Sequence, residues 1–261
     1  MDGNESIPET LKFGSLEERS ICGRFLYYEL YLWKLDNAPK DIHKFCDPKI
    51  DEKLREKLIR WIRDVDDRTS CQSLQILFSF SIPSPLAIEK ILSLHLPIIS
   101  AGAGTGYWET FLQQKGADVI AFDKNDVYPE QMRYFPIMTG GPSLLTQFSD
   151  RALMLGWPDA EEGSTFSLDC LQQYKGNTII HIGELFGETY STNPWGQSTS
   201  QGFQLELGET FRCILRVQLP NWPGYLDSMT VWSRVTDTTE CDGMPMVNVL
   251  PSSPRYYGWE K

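Results

Sequence analysis

The sequence predicts an α/β fold: a mostly parallel sheet that ends in an antiparallel strand, preceded by a helical N-terminal region. Three observations carry this. Apolar residues before residue 95 fall mainly on helical spacing. From Leu96 onward short apolar runs alternate with segments long enough for helices, the alternation of a parallel sheet. The last two runs, FRCILRVQL and MTVWSRV, are joined by NWPGYLDS, which is too short for a crossover helix and so makes them an antiparallel pair.

Taken in order, LEERSICGRFLYYELYLWKL over 16–35 reads as an amphipathic helix that ends before Asn37-Ala38-Pro39. A second helix is expected from about Pro48 to Asp66, where Ile50, Leu54, Leu58, Ile59, Trp61 and Ile62 form a stripe. A third spans Ser70 to Phe80, and Pro83-Ser84-Pro85 punctuates the chain before Leu86 to Leu92. The strands are LPIISA, DVIAFD, RALMLGW, NTIIHIG and the final pair, with TFLQQKG and FSLDCLQQYKG as helices between them. Glu188 to Gly202 reads as a long polar loop, either a lid or substrate reader or a plain solvated connection. Residues 1–95 are thus expected as a helical region packed on the core and 96–261 as the sheet domain.

The 261 residues include 41% hydrophobic and 23% charged, enough apolar mass to argue against general disorder. The net charge of −11 speaks against nonspecific attraction to nucleic acid, although Lys53, Arg55, Lys57, Arg60 and Arg63 concentrate on one helix. An exposed amphipathic face is the simpler reading of that cluster. The apolar run around Leu74 to Ile82 is far shorter than the roughly 20 residues of a membrane-spanning helix. MDGNESIPETLK lacks the basic start and apolar centre of a secretory signal, so an intracellular protein without a membrane partner is expected. Six scattered cysteines without a C-x-x-C pair or clustered His read as reduced thiols rather than a metal site or disulfide framework.

The chemistry centres on Ile98 to Trp108, a buried strand that enters a glycine turn and then a helix near Tyr107. Glycines permit a sharp turn and a close approach of backbone to ligand. Seventeen residues after Gly106 the next strand ends in Asp123, placed where a ribose would lie and able to accept two hydroxyl hydrogen bonds. The dinucleotide spacing G-x-G-x-x-G fails, because its third glycine would fall on Tyr107; no phosphate loop of the G-x-x-x-x-G-K-[ST] form is present.

Gly102-x-Gly104-x-Gly106 within ISAGAGTGYWETFLQQKGADVIAFDK resembles the cofactor segment of class I S-adenosylmethionine-dependent methyltransferases. SFSIPSPLAIEKILSLHLPIISAGAGTGYW, RALMLGWPD and YKGNTIIHIGE extend the resemblance over roughly residues 78–235, to a little-characterised methyltransferase-like group. The resemblance implies a Rossmann-like domain over 96–261 and S-adenosyl-L-methionine as cofactor. It places the backbone from Gly102 through Gly104 to Gly106 along the methionine part of the cofactor, with Ser100 just before it, and Asp123 on the ribose. Tyr107 and Trp108 directly follow the turn, so one of them is a candidate to line the adenosine pocket, against a core role. Ser100 stands where the family commonly has an acid, so the carboxylate partner for the cofactor's ammonium is missing or comes from elsewhere.

The turn Gly156-Trp157-Pro158-Asp159 partly matches the [DNS]-P-P-[YFW] turn of amine-methylating relatives. Trp157 and Asp159 are therefore candidate substrate-facing residues, against an ordinary exposed turn. Glu184, directly after NTIIHIG, is a candidate to orient or deprotonate a nucleophile, against a surface acid, whereas His181 inside that strand reads as a core histidine. No G-x-S-x-G elbow or nucleophilic triad appears. The expected activity is direct methyl transfer to an unidentified acceptor, with a planar amine or nucleobase preferred. The competing reading is a catalytically silent scaffold that keeps the fold.

Overall fold

The computed structural model describes residues 7–20, 23–44, 47–63, 69–185, 193–235 and 246–249. Five helices come first: α1 (Leu16–Arg19), α2 (Leu26–Asp36), α3 (Glu52–Arg63), α4 (Cys71–Leu77) and α5 (Pro85–Leu92). The one helix expected over 16–35 is two, with Gly23 in the left-handed region at φ +74° between them. Ser15 forms a reciprocal capping box with Glu18 at the start of α1. Ser70 and Ser84 cap α4 and α5, and Pro85 occupies the first turn of α5 where its missing N–H costs nothing.

The sheet then forms from β1 (Ile98–Ala101), β2 (Val119–Asp123), β3 (Met138–Thr139), β4 (Ala152–Gly156), β5 (Thr178–Gly183), β6 (Phe211–Gln218), β7 (Ser228–Arg234) and β8 (Val247–Val249). Helices α6 (Tyr107–Gln114), α7 (Phe166–Gln173) and α8 (Gln201–Thr210) connect its strands. The order is β3-β2-β1-β4-β5-β7-β6-β8. The first five positions are those of a doubly wound Rossmann-like sheet. β7 pairs antiparallel with both β5 and β6, and β8 pairs parallel with β6 beyond it.

Strand alternation divides the core in two. Ile98, Val119, Ala121, Ala152, Met154, Ile180 and Ile182 face one cluster, which also holds Leu26, Tyr27, Leu30, Leu58, Leu74, Ile88 and Ile91 from α2 to α5 and Tyr107, Trp108, Phe111 and Leu112 from α6. Ile99, Ala101, Phe122, Leu153, Leu155 and Ile179 face the other, with Cys170 and Leu171 of α7 and Phe203 and Leu207 of α8. The helices after β1 and β4 therefore lie on opposite faces. A crevice opens where such connections diverge, beyond the carboxyl ends of those two strands.

The polar stretch read as a loop up to Gly202 instead gives way to α8 at Gln201. Ser200 accepts the Phe203 N–H, and Phe203 and Leu207, one turn apart, are buried, which is enough to start a helix in a weakly patterned segment. The Glu188 to Thr192 part of that loop lies outside the described residues, as do Cys22, Cys46 and Cys241. No helix among the described residues is long and apolar enough to cross a membrane.

A buried hydrogen bond ties α2 to α6. The N-cap position of α2, Phe25, supplies no side-chain bond, and the Tyr27 N–H is instead received by the hydroxyl of Tyr107 at 3.2 Å. Tyr27 in turn accepts from Trp222 Nε1 at 2.9 Å. Replacing Tyr107→Phe strands a buried helix-terminal N–H, and denaturant unfolding is expected to show a loss of about 1–3 kcal/mol.

Candidate functional site

The crevice is a cavity of about 340 Å³, a volume suited to a small molecule. One wall is the turn between β1 and α6. Gly102, Gly104 and Gly106 all adopt the left-handed region, at φ +70°, +56° and +74°. A side chain at Gly106 would in addition drive its Cβ to within 2.6 Å of Phe135 Cβ. Gly102 and Gly104 line the cavity with bare backbone, while Gly106 starts α6 behind it.

Asp123 at the end of β2 fixes this turn from the neighbouring strand. Its carboxylate accepts the Gly104 N–H at 2.9 Å and the Asn125 N–H at 3.0 Å. The group lines the cavity and is partly exposed, so oxygen lone pairs remain for a ligand's hydroxyls. Thr105 anchors the other side of the turn by donating its hydroxyl to Phe78 O.

Ser100 and Tyr107 also line the cavity. Ser100 Oγ donates to Glu109 Oε1 at 2.5 Å. Glu109 is only 3% exposed, lines the same cavity, and has its carboxyl pushed up to about 7, chiefly by burial. Most of the Tyr107 ring is spent on packing against Phe78, Phe111 and Tyr134.

The opposite wall is aromatic. Trp157 lines the cavity at φ +47°, backbone strain that a bulky residue tolerates only when several contacts hold it. Those contacts are stacking on Phe80 at 5.1 Å, a tilted contact with Tyr225, and donation of its indole N–H to Asp227 Oδ2 at 3.1 Å. Phe80, 36% exposed, is the ring that the wall turns toward solvent.

Asp159 and Glu184 do not line the cavity. Asp159 Oδ1 accepts from Ser164 Oγ at 2.7 Å and the Ser167 N–H at 3.1 Å, and Oδ2 accepts the Ser200 N–H at 2.7 Å and the Ser167 hydroxyl. It thereby satisfies the starts of α7 and α8 together, a position where helix dipoles favour a carboxylate. Glu184, 1% exposed, accepts the Leu226 N–H at 3.3 Å. His181 is fully buried, and burial lowers its pKa to about 3, which keeps the ring neutral.

Two acids that sequence reasoning passed over are better placed. Glu109 sits on the helix face opposite most of the apolar residues of α6, a position that periodicity assigns to solvent and the fold assigns to the cavity. Asp227, 2% exposed, precedes β7 and accepts from Ser81 Oγ at 2.6 Å and from Trp157, both of them cavity residues. Burial is the main cause that pushes its carboxyl up to about 7; the charge of Glu184 adds to this, and the bonds from Ser81 and Trp157 oppose it. Its Oδ1 is buried without a hydrogen bond among the described residues. No signal in the sequence joins residue 227 to residues 81 and 157. Only the position of β7 beside β5 does so.

No protein-family model matches the sequence, and no curated protein matches it. Among solved structures, the chain is similar to the 1,6-didemethyltoxoflavin-N1-methyltransferase of Burkholderia thailandensis at 15% identity, covering 70% of this chain and 88% of that one, with a TM-score of 0.43. It is also similar to the magnesium protoporphyrin IX methyltransferase of Synechocystis PCC 6803 (13% identity, 73% and 91% covered, TM-score 0.40). The methyltransferase domain of bacterial CtHen1-C matches at 13% identity, with 57% and 95% covered and a TM-score of 0.40.

The shifted Asp227 carboxyl links stability to pH. Its folded value lies above its ordinary value of 3.8, so the folded chain holds a proton that the unfolded chain releases between about pH 4 and 7. This contribution is complete below 3.8 and is lost as pH rises through about 7. Denaturant unfolding of wild type and Asp227→Asn across that window is expected to show the wild type losing stability relative to the variant. The gap between them should widen steadily as pH rises from about 4 to about 7 and level off above it.

Proposed function

We propose that this chain binds S-adenosyl-L-methionine in the crevice and uses it to methylate an acceptor held against the Phe80–Trp157 wall, a planar amine or nucleobase. The observation that carries the reading is the bare-backbone turn of Gly102 and Gly104, hydrogen-bonded to Asp123 at the mouth of a small-molecule cavity. The residues present fit that cofactor. Asp123 offers acceptor lone pairs to ribose hydroxyls, and the glycine turn lets an extended chain lie against the backbone.

Charge supports the same choice. Glu109, Asp123, Asp126 and Glu161 line the cavity with Lys124 as the cation among its lining residues. Such a lining favours a ligand with cationic groups and disfavours the diphosphate of a dinucleotide. When bound, the cofactor would supply a methyl group on a positively charged sulfur: a neutral amine would form the new bond to that methyl as the sulfur–methyl bond breaks, S-adenosylhomocysteine would leave, and the methylated amine would give up its proton to water after release. The protein's part is then mainly to align the acceptor and exclude water, with little need for a strong base. Phe80, Met154, Trp157 and Tyr128 provide the apolar lining for that purpose.

Within this reading Asp227 is a positioning residue, since it reaches the cavity through Ser81 and Trp157. Asp159 is assigned to hold the starts of α7 and α8, and Glu184 to the packing around Leu226. The inward bonding of these two acids is also what favours the second reading, a silent scaffold that binds cofactor without turnover. Transfer of label from methyl-labelled cofactor to an amine or nucleobase fraction separates the two.

Calorimetry with S-adenosylmethionine and S-adenosylhomocysteine is expected to show binding of both to the wild type. Gly104→Val, forced into φ +56°, and Asp123→Ala, stripped of the carboxylate, should each weaken binding about 10- to 100-fold. Absence of binding, or binding that both substitutions leave intact, contradicts the proposal. Label found only on protein carboxyls or aliphatic acids contradicts the choice of acceptor.

A further inference from the structure

Position 100, at the carboxyl end of β1 beside the glycine turn, is a serine, whose hydroxyl cannot balance a cation. That hydroxyl is not idle, because it points at a carboxyl from the first turn of α6: Ser100 Oγ to Glu109 Oε1 is 2.5 Å. Glu109 is buried, lines the cavity, and receives from Ser100 the side-chain hydrogen bond made to its carboxyl among the described residues. A buried carboxyl without a cation beside it is costly to ionise. Its natural counterpart is a positive group brought by a ligand.

We propose that the Glu109 carboxylate, steadied by Ser100, receives the α-ammonium of the cofactor's methionine part. The assignment rests on the S-adenosylmethionine reading above and adds a residue to it. Ser100 and Glu109 act as a unit: the strand supplies a hydroxyl that fixes the rotamer and the helix supplies the charge. Asp123 is the other acid whose charge reaches Glu109, and Lys124, Asp126 and Glu161 stand on the same cavity. The upward displacement of the Glu109 carboxyl to about 7, caused first by burial and then opposed by the Ser100 bond, fits a group that waits for a cation.

The test compares two ligands that share the adenosine and differ in the amino-acid part. S-adenosylhomocysteine carries the ammonium; methylthioadenosine does not. For Glu109→Gln, calorimetry is expected to show S-adenosylhomocysteine weakened about tenfold or more and methylthioadenosine changed by less than about twofold. Retained methylthioadenosine binding also shows that the variant is folded. Adding Ser100→Asp to Glu109→Gln, which returns a carboxylate across the same contact, should recover most of the lost affinity. Equal S-adenosylhomocysteine affinity in wild type and Glu109→Gln overturns the assignment while leaving the cofactor reading intact, and so does an equal loss of both ligands. Failure of the wild type to bind either ligand overturns the cofactor reading and the assignment with it.

Discussion

The hydrogen bond from the Gly104 N–H to the Asp123 carboxylate is the contact on which the site depends. It ties the turn after β1 to the end of β2, two strands already paired in register from Ile98 and Val119 to Ala101 and Phe122. The Gly102 N–H bonds to Phe122 O at 2.9 Å, so the turn is clamped to the neighbouring strand at two points before α6 begins. Glycines at the alternate positions 102, 104 and 106, all in the left-handed region, make such a clamp possible without a steric cost. Without it, the crevice between β1 and β4 would lack a defined wall.

Around that wall the chain divides its acids by task. Asp159 is used up in joining α7 to α8, and its four accepted bonds come from backbone and hydroxyl groups of those two helix starts. Asp227 sits behind the aromatic wall and holds Ser81 and the strained Trp157 in place. Glu109 and Asp123 face the cavity itself. Burial raises the Asp227 and Glu109 carboxyls for the same reason, the cost of leaving a charge in a poorly solvated place, yet of the two Glu109 alone lines the cavity.

Much of the fold was legible in the sequence because it follows from local pattern. The apolar runs that alternate with helix-length segments locate β1, β2, β4, β5, β6 and β7, and the short NWPGYLDS connection makes β6 and β7 antiparallel. The glycine turn and the place of Asp123 beside it were legible for the same reason, because both are short-range features of consecutive elements. What the sequence hid depends on distant contacts. β3 and β8, of two and three residues, carry too little pattern to register. Glu109 looks like a solvent-facing helix residue until β1 and α6 are placed around a cavity. Asp227 joins the site only because β7 lies beside β5. Asp159 shows the reverse case, a carboxylate whose position after a strand suggested chemistry and whose bonds serve helix termini.

The proposed cofactor site has a nucleoside on the β1–α6 turn and Asp123, with its amino-acid part on Glu109. A crystal structure of the complex with S-adenosylhomocysteine is expected to show ribose hydroxyls within hydrogen-bond distance of Asp123, the homocysteine chain along Gly102 and Gly104, and the ammonium on Glu109. A ligand bound in another orientation, with its ribose away from Asp123, or bound outside this crevice, would contradict it.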